Sequence, residues 1–388
     1  MAEITERAGL DFNLSEEQTA VQQAARDFAQ SELLPGVIER DTEQKFDKDL
    51  LRKMGEMGFM GMMVPPEYGG GGMDTVSYAI AIEEISKVDA AAAVIMSVNN
   101  SLVCWGLEAF GNEEQKQKYL TRLATGEIIG AFCLSEPEAG SDATSQHTTA
   151  EDQGDYYLIN GTKNWITSGN TASVYLVMAQ THPEKKHRGI NCLIVEKGMA
   201  GFSVGPKEDK MGIRASDTHS LMFSDVKVPK ENRIGDDGFG FKFAMGTLNG
   251  GRIGIAAQAL GIAAGAYERA LSYALERKTF GNPIFEHQAI QFKLADMATR
   301  IEAARLLVYK AAREKDEGKD YVKSAAMAKL YASDVAMWVT TEAVQIHGGY
   351  GYVREYHVER LMRDAKITQI YEGTSEIQKL VIARELLK

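Results

Sequence analysis

The chain has 388 residues, 44% of them hydrophobic and 25% charged, an ordinary globular composition long enough for two to three domains, which excludes disorder as its overall state. A formal net charge of −11 without a dense block of lysine and arginine excludes a nucleic-acid surface, because phosphate binding needs clustered cations. Cys104, Cys133 and Cys192 are far apart and form no CxxC pair, so a disulfide framework or zinc site lacks support and a reducing compartment is the simplest inference.

Residues 1–10 carry acidic residues and no apolar core, unlike a secretory signal, and no uncharged apolar run is expected to be long enough to span a bilayer. The expectation is a protein without membrane insertion, cytoplasmic if bacterial and from the mitochondrial matrix if a processed eukaryotic chain. Ser15 and Gln18 fit a capping box, and Val21, Ala24, Ala25, Phe28 and Ala29 share one helical face that Pro35 ends. Further helices are predicted at 47–57, 74–87, 91–102 and 113–124, separated by Pro65-Pro66 and the glycines at 69–72. Residues 1–125 thus read as an α-helical domain.

Short β-branched or aromatic runs follow at 156–159, 174–179, 190–195 and 221–228, and Asn160-Gly161 signals a hairpin turn. Residues 126–236 read as an antiparallel, β-barrel-like domain. After Pro283 there is no proline, and Ile290, Phe292, Leu294, Met297, Ile301, Ala304, Leu306 and Leu307 keep a helical spacing, so residues 237–388 read as a four-helix-bundle-type domain. Helices, then strands, then helices make an α+β fold and disfavour a doubly wound parallel sheet.

Several chemistries lack their motifs. Gly238-Phe239-Gly240 has no glycine at 243, and Gly349-Tyr350-Gly351 meets Arg354 at the third position, so neither completes a dinucleotide fingerprint. There is no phosphate-binding GxxxxGK[ST], HExxH or GxSxG motif, and the seven histidines lack ligand spacing, so no metal site is expected.

Four segments carry chemistry. Phe132-Cys133-Leu134-Ser135-Glu136-Pro137-Glu138-Ala139-Gly140-Ser141-Asp142 leaves a strand for a turn rich in hydroxyls and free N–H groups, able to cradle an electron-poor ring or a phosphate. In Trp165-Ile166-Thr167, alternation places the indole and the hydroxyl on one face of a strand. Residues 277–281 with Gln288, and residues 345–349, join a cation to a glycine pair, which suits a pyrophosphate. Each is also explained, alone, by ordinary packing or solvation, and for Trp165 and Thr167 alone a buried tryptophan beside a threonine is the favoured explanation.

Together, and with the run Arg363-Asp364-Ala365-Lys366-Ile367-Thr368-Gln369-Ile370-Tyr371-Glu372-Gly373-Thr374-Ser375-Glu376-Ile377-Gln378, they resemble the acyl-CoA dehydrogenase family over essentially the whole chain. Residues 95–101, 207–210 and 251–256 are most similar to its short-chain, butyryl-CoA type. The resemblance implies FAD as cofactor. Phe132, Leu134, Ser135 and Ser141 would hold the flavin ring, with Ser141 also toward substrate. Trp165, Ile166 and Thr167 would flank it, and Arg277, Phe280, Gln288, Gln345, Gly348 and Gly349 would bind the adenosine diphosphate half across a subunit interface, with Thr374 and Glu376 also on the cofactor.

The resemblance further implies Glu372 as the base that takes the α proton while the β hydrogen leaves as hydride to flavin N5, giving a trans-2-enoyl thioester. Asn249, Arg252, Tyr371 and Gly373 would contact the acyl-CoA substrate, although Asn249 stands where many relatives carry aspartate. Glycine at 251 with glutamate at 372 matches the straight-chain arrangement rather than the isovaleryl type. Electrons would pass to an electron-transferring flavoprotein, and the chain would form a homotetramer built from two dimers. The alternatives are an oxygen-reactive acyl-CoA oxidase and, from another class, a non-catalytic scaffold that binds CoA thioesters. Thr374 or Ser375 is expected to cap a helix with Gln378 closing the box, and Glu136 and Asp142 to stabilise their turn.

Overall fold

The computed structural model describes residues 13–388, so the expectation about residues 1–10 lies outside the described residues. Ser15 opens the helix Glu16–Phe28 through the expected capping box, Ser15 Oγ accepting from Gln18 N and Gln18 Oε1 from Ser15 N, both at 3.1 Å. A π-helical turn, Ala29–Leu33, carries this helix on to Pro35. The helices Thr75–Ser86 and Ala90–Ser97 are buried at every position, their first turns held by the side chains of Asp74 and Asp89.

Ala90–Phe110 corrects one expectation, because it is long and apolar enough to cross a membrane by length and composition, and 94% of its apolar window is buried inside the protein. Its polar groups explain the placement. Asn99 Nδ2 donates to Met60 O at 2.8 Å and Leu123 O at 3.1 Å, while Asn100 Nδ2 donates to Phe59 O at 2.8 Å and its Oδ1 accepts from Met62 N at 2.8 Å. These amides satisfy backbone groups of the turns and the short helix Thr121–Ala124 that surround the segment, as buried polar groups must be.

The middle of the chain forms an eight-stranded sheet from β1 Gly130–Cys133, β2 Thr149–Asp152, β3 Tyr156–Thr167, β4 Val174–Gln180, β5 Ile190–Glu196, β6 Phe202–Lys207, β7 Thr218–Pro229 and β8 Arg233–Ile234. The strand order is β6-β7-β3-β2-β4-β5-β8, with β1 beside β4. Pairing is antiparallel except where β4 meets β1 and β2, which makes the sheet mixed. Both of its faces are covered: Val174, Leu176 and Met178 join the helical core, while Tyr175, Val177 and Ala179 point into a second core under β7.

Asn160-Gly161 is not a hairpin turn. Both residues lie inside β3, at a register shift against β7, where Asn160 Nδ2 donates to Asp225 Oδ1 at 3.0 Å and its Oδ1 accepts from Asp225 N at 2.8 Å. Gly161 passes so close to Thr148 Cα that a Cβ would stand 2.7 Å from it, so the glycine serves close approach rather than chain reversal.

The helix Gly240–Glu276, 37 residues and about 55 Å long at 1.5 Å per residue, is the spine of the C-terminal part. Gln288–Asp316 and Val322–His347 pack along it, and the shorter Val358–Ile367 and Ser375–Leu386 complete the bundle. Arg305 Nη2 donates to the buried Glu83 at 2.7 Å, which ties this bundle to the N-terminal helices.

Candidate active site

Glu372 lies on the turn between the last two helices. Its φ of +51° is left-handed, followed by Gly373 at +95°, and such a conformation at a glutamate must be held by its surroundings. Thr374 is the N-cap, its hydroxyl accepting from Ile377 N at 3.3 Å. Gln378 does not close the expected box. Its Nε2 donates to the carbonyls of Glu372 at 3.2 Å and Gly373 at 2.8 Å, bracing the turn.

The carboxylate points toward the Gly240–Glu276 helix at Gly251, where a methyl group would overlap Glu372 Oε2 and stand 2.8 Å from Leu102 Cδ2. Glycine at 251 and glutamate at 372 thus fill one space between them. Oε2 is buried and has no hydrogen-bond partner among the described residues. Burial pushes the carboxyl up to about 7, against the opposing charges of Lys329 and Arg252.

Neighbours of the acid are fixed in turn. Tyr371 Oη donates to Gln258 Oε1, and Gln258 Nε2 donates to Ala90 O at 2.8 Å. Arg252 Nη1 donates to Asn249 Oδ1 at 2.7 Å, while Arg252 Nε is buried without a partner. Asn249 therefore keeps a role despite its amide: it aims the guanidinium.

The first two sequence segments meet in the sheet. Asn164 N donates to Ser135 O at 2.8 Å, and Lys163, fully buried, donates from Nζ to Leu134 O at 3.1 Å and Glu136 Oε1 at 2.7 Å. Glu136 also accepts from the backbone N–H groups of His147 at 2.6 Å and Thr148 at 3.1 Å. Burial would raise its carboxyl, yet the Lys163 charge and these donors hold it below the ordinary value. Asp142 accepts from the hydroxyls of Thr144 and Ser145, so both acids stabilise the turn as expected.

A register shift between Lys163 and Ile166 interrupts the regular alternation assumed for Trp165 and Thr167. Trp165 takes a φ of +60° and is 60% exposed, an unusual cost for an indole, while Thr167 is half-buried beyond it. The Ile166 side chain is buried in the second core, which leaves its main chain alone for a ligand. Phe132 and Ser135 are half-buried, Leu134 is buried and Ser141 is exposed.

The other two segments share a separate cavity of about 470 Å³, lined by Arg277, Thr279, His347, Gly348, Gly349 and Tyr350. Arg277 lies 5.4 Å over the Tyr350 ring, Phe280 is 97% exposed with a φ of +52°, and Gln288, Gln345 and Glu376 are exposed. Among the described residues no hydrogen bond, ion pair or ring contact joins this cavity to the Phe132 and Trp165 segments.

Sequence reasoning missed Lys329 and Lys163. Lys329 stands among Ala325, Ala328, Ala332 and Ala336 on the buried face of its helix, a lysine on an apolar stripe that periodicity alone could have exposed. Lys163 is hidden by the two irregularities of β3, which break the period-two pattern on either side of it.

The N-terminal, middle and C-terminal domain descriptions of the acyl-CoA dehydrogenase family match residues 15–127, 131–226 and 238–387. The chain is 52% identical to the short-chain specific acyl-CoA dehydrogenase of Clostridium acetobutylicum, over 98% of this chain and 100% of that one. Butyryl-CoA dehydrogenase from Megasphaera elsdenii superposes with a TM-score of 0.96 at 51% identity, covering 98% of this chain and 100% of that chain. A chain solved in work on the electron transferring flavoprotein of Acidaminococcus fermentans gives 0.97 at 54% identity, with coverage of 98% and 100%.

Proposed function

This chain belongs to the acyl-CoA dehydrogenase family, and on that footing we propose that it oxidises a short, straight-chain acyl-CoA to the trans-2-enoyl-CoA with Glu372 as the base. The observation that carries the reading is the Glu372 carboxylate: buried, unpartnered at Oε2, and raised to about 7 by loss of water. A carboxylate so placed is basic enough to take a proton at neutral pH and has no other bond to break first.

An α proton beside a thioester is removed only if the developing enolate oxygen meets a donor. The backbone N–H of Glu372 makes no hydrogen bond among the described residues, so it is free to donate to the thioester carbonyl. The left-handed turn at Glu372 and Gly373 presents this N–H and the carboxylate from one residue. Arg252, aimed by Asn249, is the cation for the CoA moiety, and Tyr371, held by Gln258, flanks the acid.

The residues present fit FAD. Trp165 offers an exposed indole held at a costly φ, beside the half-buried Thr167 and the turn carrying Leu134, Ser135 and Ser141. Arg277, Gly348 and Gly349 offer a cation and open backbone to a pyrophosphate, with no heavy atom within 4 Å of a Cβ built on either glycine. When bound, FAD supplies the hydride acceptor for the β carbon. The exposed Phe280 and the separation of the two clusters suit a cofactor shared between subunits, in keeping with a homotetramer. We assign an electron-transferring flavoprotein as the electron acceptor.

The test is anaerobic incubation of purified protein with butyryl-CoA, following the visible flavin bands and the acyl products. The reading expects bound flavin, its bleaching, and trans-2-butenoyl-CoA in matching amount, with little oxygen uptake when air is readmitted. A colourless protein, or flavin that no acyl-CoA bleaches, overturns it; rapid oxygen consumption makes it an oxidase.

A further inference from the structure

Lys329 is fully buried in the Val322–His347 helix, and among the described residues it forms no salt bridge within 4.0 Å. A buried ammonium with no carboxylate against it is expensive, and the surrounding alanines would accept an apolar side chain more cheaply. Its single bond is specific: Nζ donates to Gly373 O at 2.7 Å, the carbonyl directly after Glu372. Gln378 Nε2 reaches the same oxygen from the last helix, so two donors from two helices hold the turn in its left-handed form.

Resting on the assignment of Glu372 as base, we propose that Lys329 is a positioning residue that clamps the Glu372 turn through the Gly373 carbonyl and, by its charge, sets the pH at which the base ionises. Its charge faces Glu372 on the turn, Arg252 on the spine helix, Asp334 on its own helix and Glu376 on the last helix. Among the described residues Glu372 in turn faces Lys329 and Arg252 as cations, with the neutral phenols of Tyr78 and Tyr371 also against it. Burial lowers the Lys329 ammonium to about 8, opposed first by Glu372, so lysine and glutamate are charged together at the upper edge of neutrality. Loss of the ammonium leaves the carboxylate with Arg252 alone against desolvation, and the carboxyl rises.

The experiment is the pH profile of the anaerobic bleaching rate with butyryl-CoA, in wild type, Lys329→Gln and Lys329→Arg holoproteins. Glutamine removes the charge and offers Gly373 a donor on a side chain one bond shorter; arginine keeps both charge and donor. A nearby opposite charge lowers a carboxyl by roughly 1–3 units, so the Lys329→Gln midpoint should move to higher pH by about one unit, with about tenfold slower bleaching below it. Lys329→Arg should keep the wild-type midpoint. A Lys329→Gln rate reduced equally at every pH, with an unmoved midpoint, makes Lys329 a brace only and overturns the proposal. Should Lys329→Gln not fold, Lys329→Met takes its place, an apolar side chain suited to the surrounding alanines that removes the charge: its midpoint should also move up by about one unit, and an unmoved midpoint overturns the proposal. If wild type is not bleached by any acyl-CoA, the assignment of Glu372 has failed instead.

Discussion

Gly251→Ala tests the shared space between the spine helix and the base. The added methyl would overlap Glu372 Oε2, with the carboxylate carbon at 3.2 Å and Leu102 Cδ2 at 2.8 Å. Carbon–carbon contacts settle at ~3.5–4.0 Å, so the acid must retreat on the order of 1 Å, because the helix backbone behind it is fully packed. A misplacement of about 1 Å costs a reacting group about 100-fold, and the loss should appear in the bleaching rate at saturating butyryl-CoA rather than in flavin content. In a Glu372→Asp background the shorter acid avoids the methyl, so the same substitution should cost less than threefold, a non-additivity expected of residues in contact. Stopped-flow bleaching of the four proteins reads both numbers. Wild-type speed in Gly251→Ala, or strict additivity with Glu372→Asp, would refute the shared-space argument.

Glu372 also makes stability depend on pH. Its carboxyl is raised, so the folded protein holds this proton more tightly than the unfolded chain, and the stability it lends is complete below 4.5 and lost as pH rises to about 7. At ~1.4 kcal/mol per unit the loss is about 3 kcal/mol, so Glu372→Gln should gain about that much stability over wild type at pH 8 and little at pH 4.5 in denaturant melts; an equal gain at both would contradict the burial. Lys163→Met strands the carboxylate of Glu136, 4% exposed, without its counterion, and should cost about 3–5 kcal/mol and release flavin on gel filtration. A cost under about 1 kcal/mol with flavin retained would show that Lys163 does not brace the turn.

The sequence was most legible where local rules and tertiary packing agree. Ser15 with Gln18 and the long helices after Pro283 follow their local rules because one helix face meets the core, and β4 and β5 read as short, almost wholly apolar runs because both of their faces are buried. It misled where a residue serves a distant partner. Asn160-Gly161 reads as a turn from its dipeptide, but Asp225 on β7 and Thr148 claim it for a bulge. Ala90–Phe110 has the length and apolarity of a membrane span, and the carbonyls that Asn99 and Asn100 satisfy are dozens of residues away. At the site, Glu372 and Gly251 were readable as a pair of identities, whereas their steric exclusion, and Lys329 behind Gly373, depend on helix contacts across more than 40 residues of chain.

The most direct measurement compares wild type and Glu372→Gln, both holding flavin, in anaerobic mixing with butyryl-CoA. The account predicts rapid bleaching in wild type and a loss of at least about 100-fold in the variant, since general-base catalysis contributes 10²–10⁴-fold. A flavin-bound Glu372→Gln protein that bleaches at the wild-type rate would contradict it.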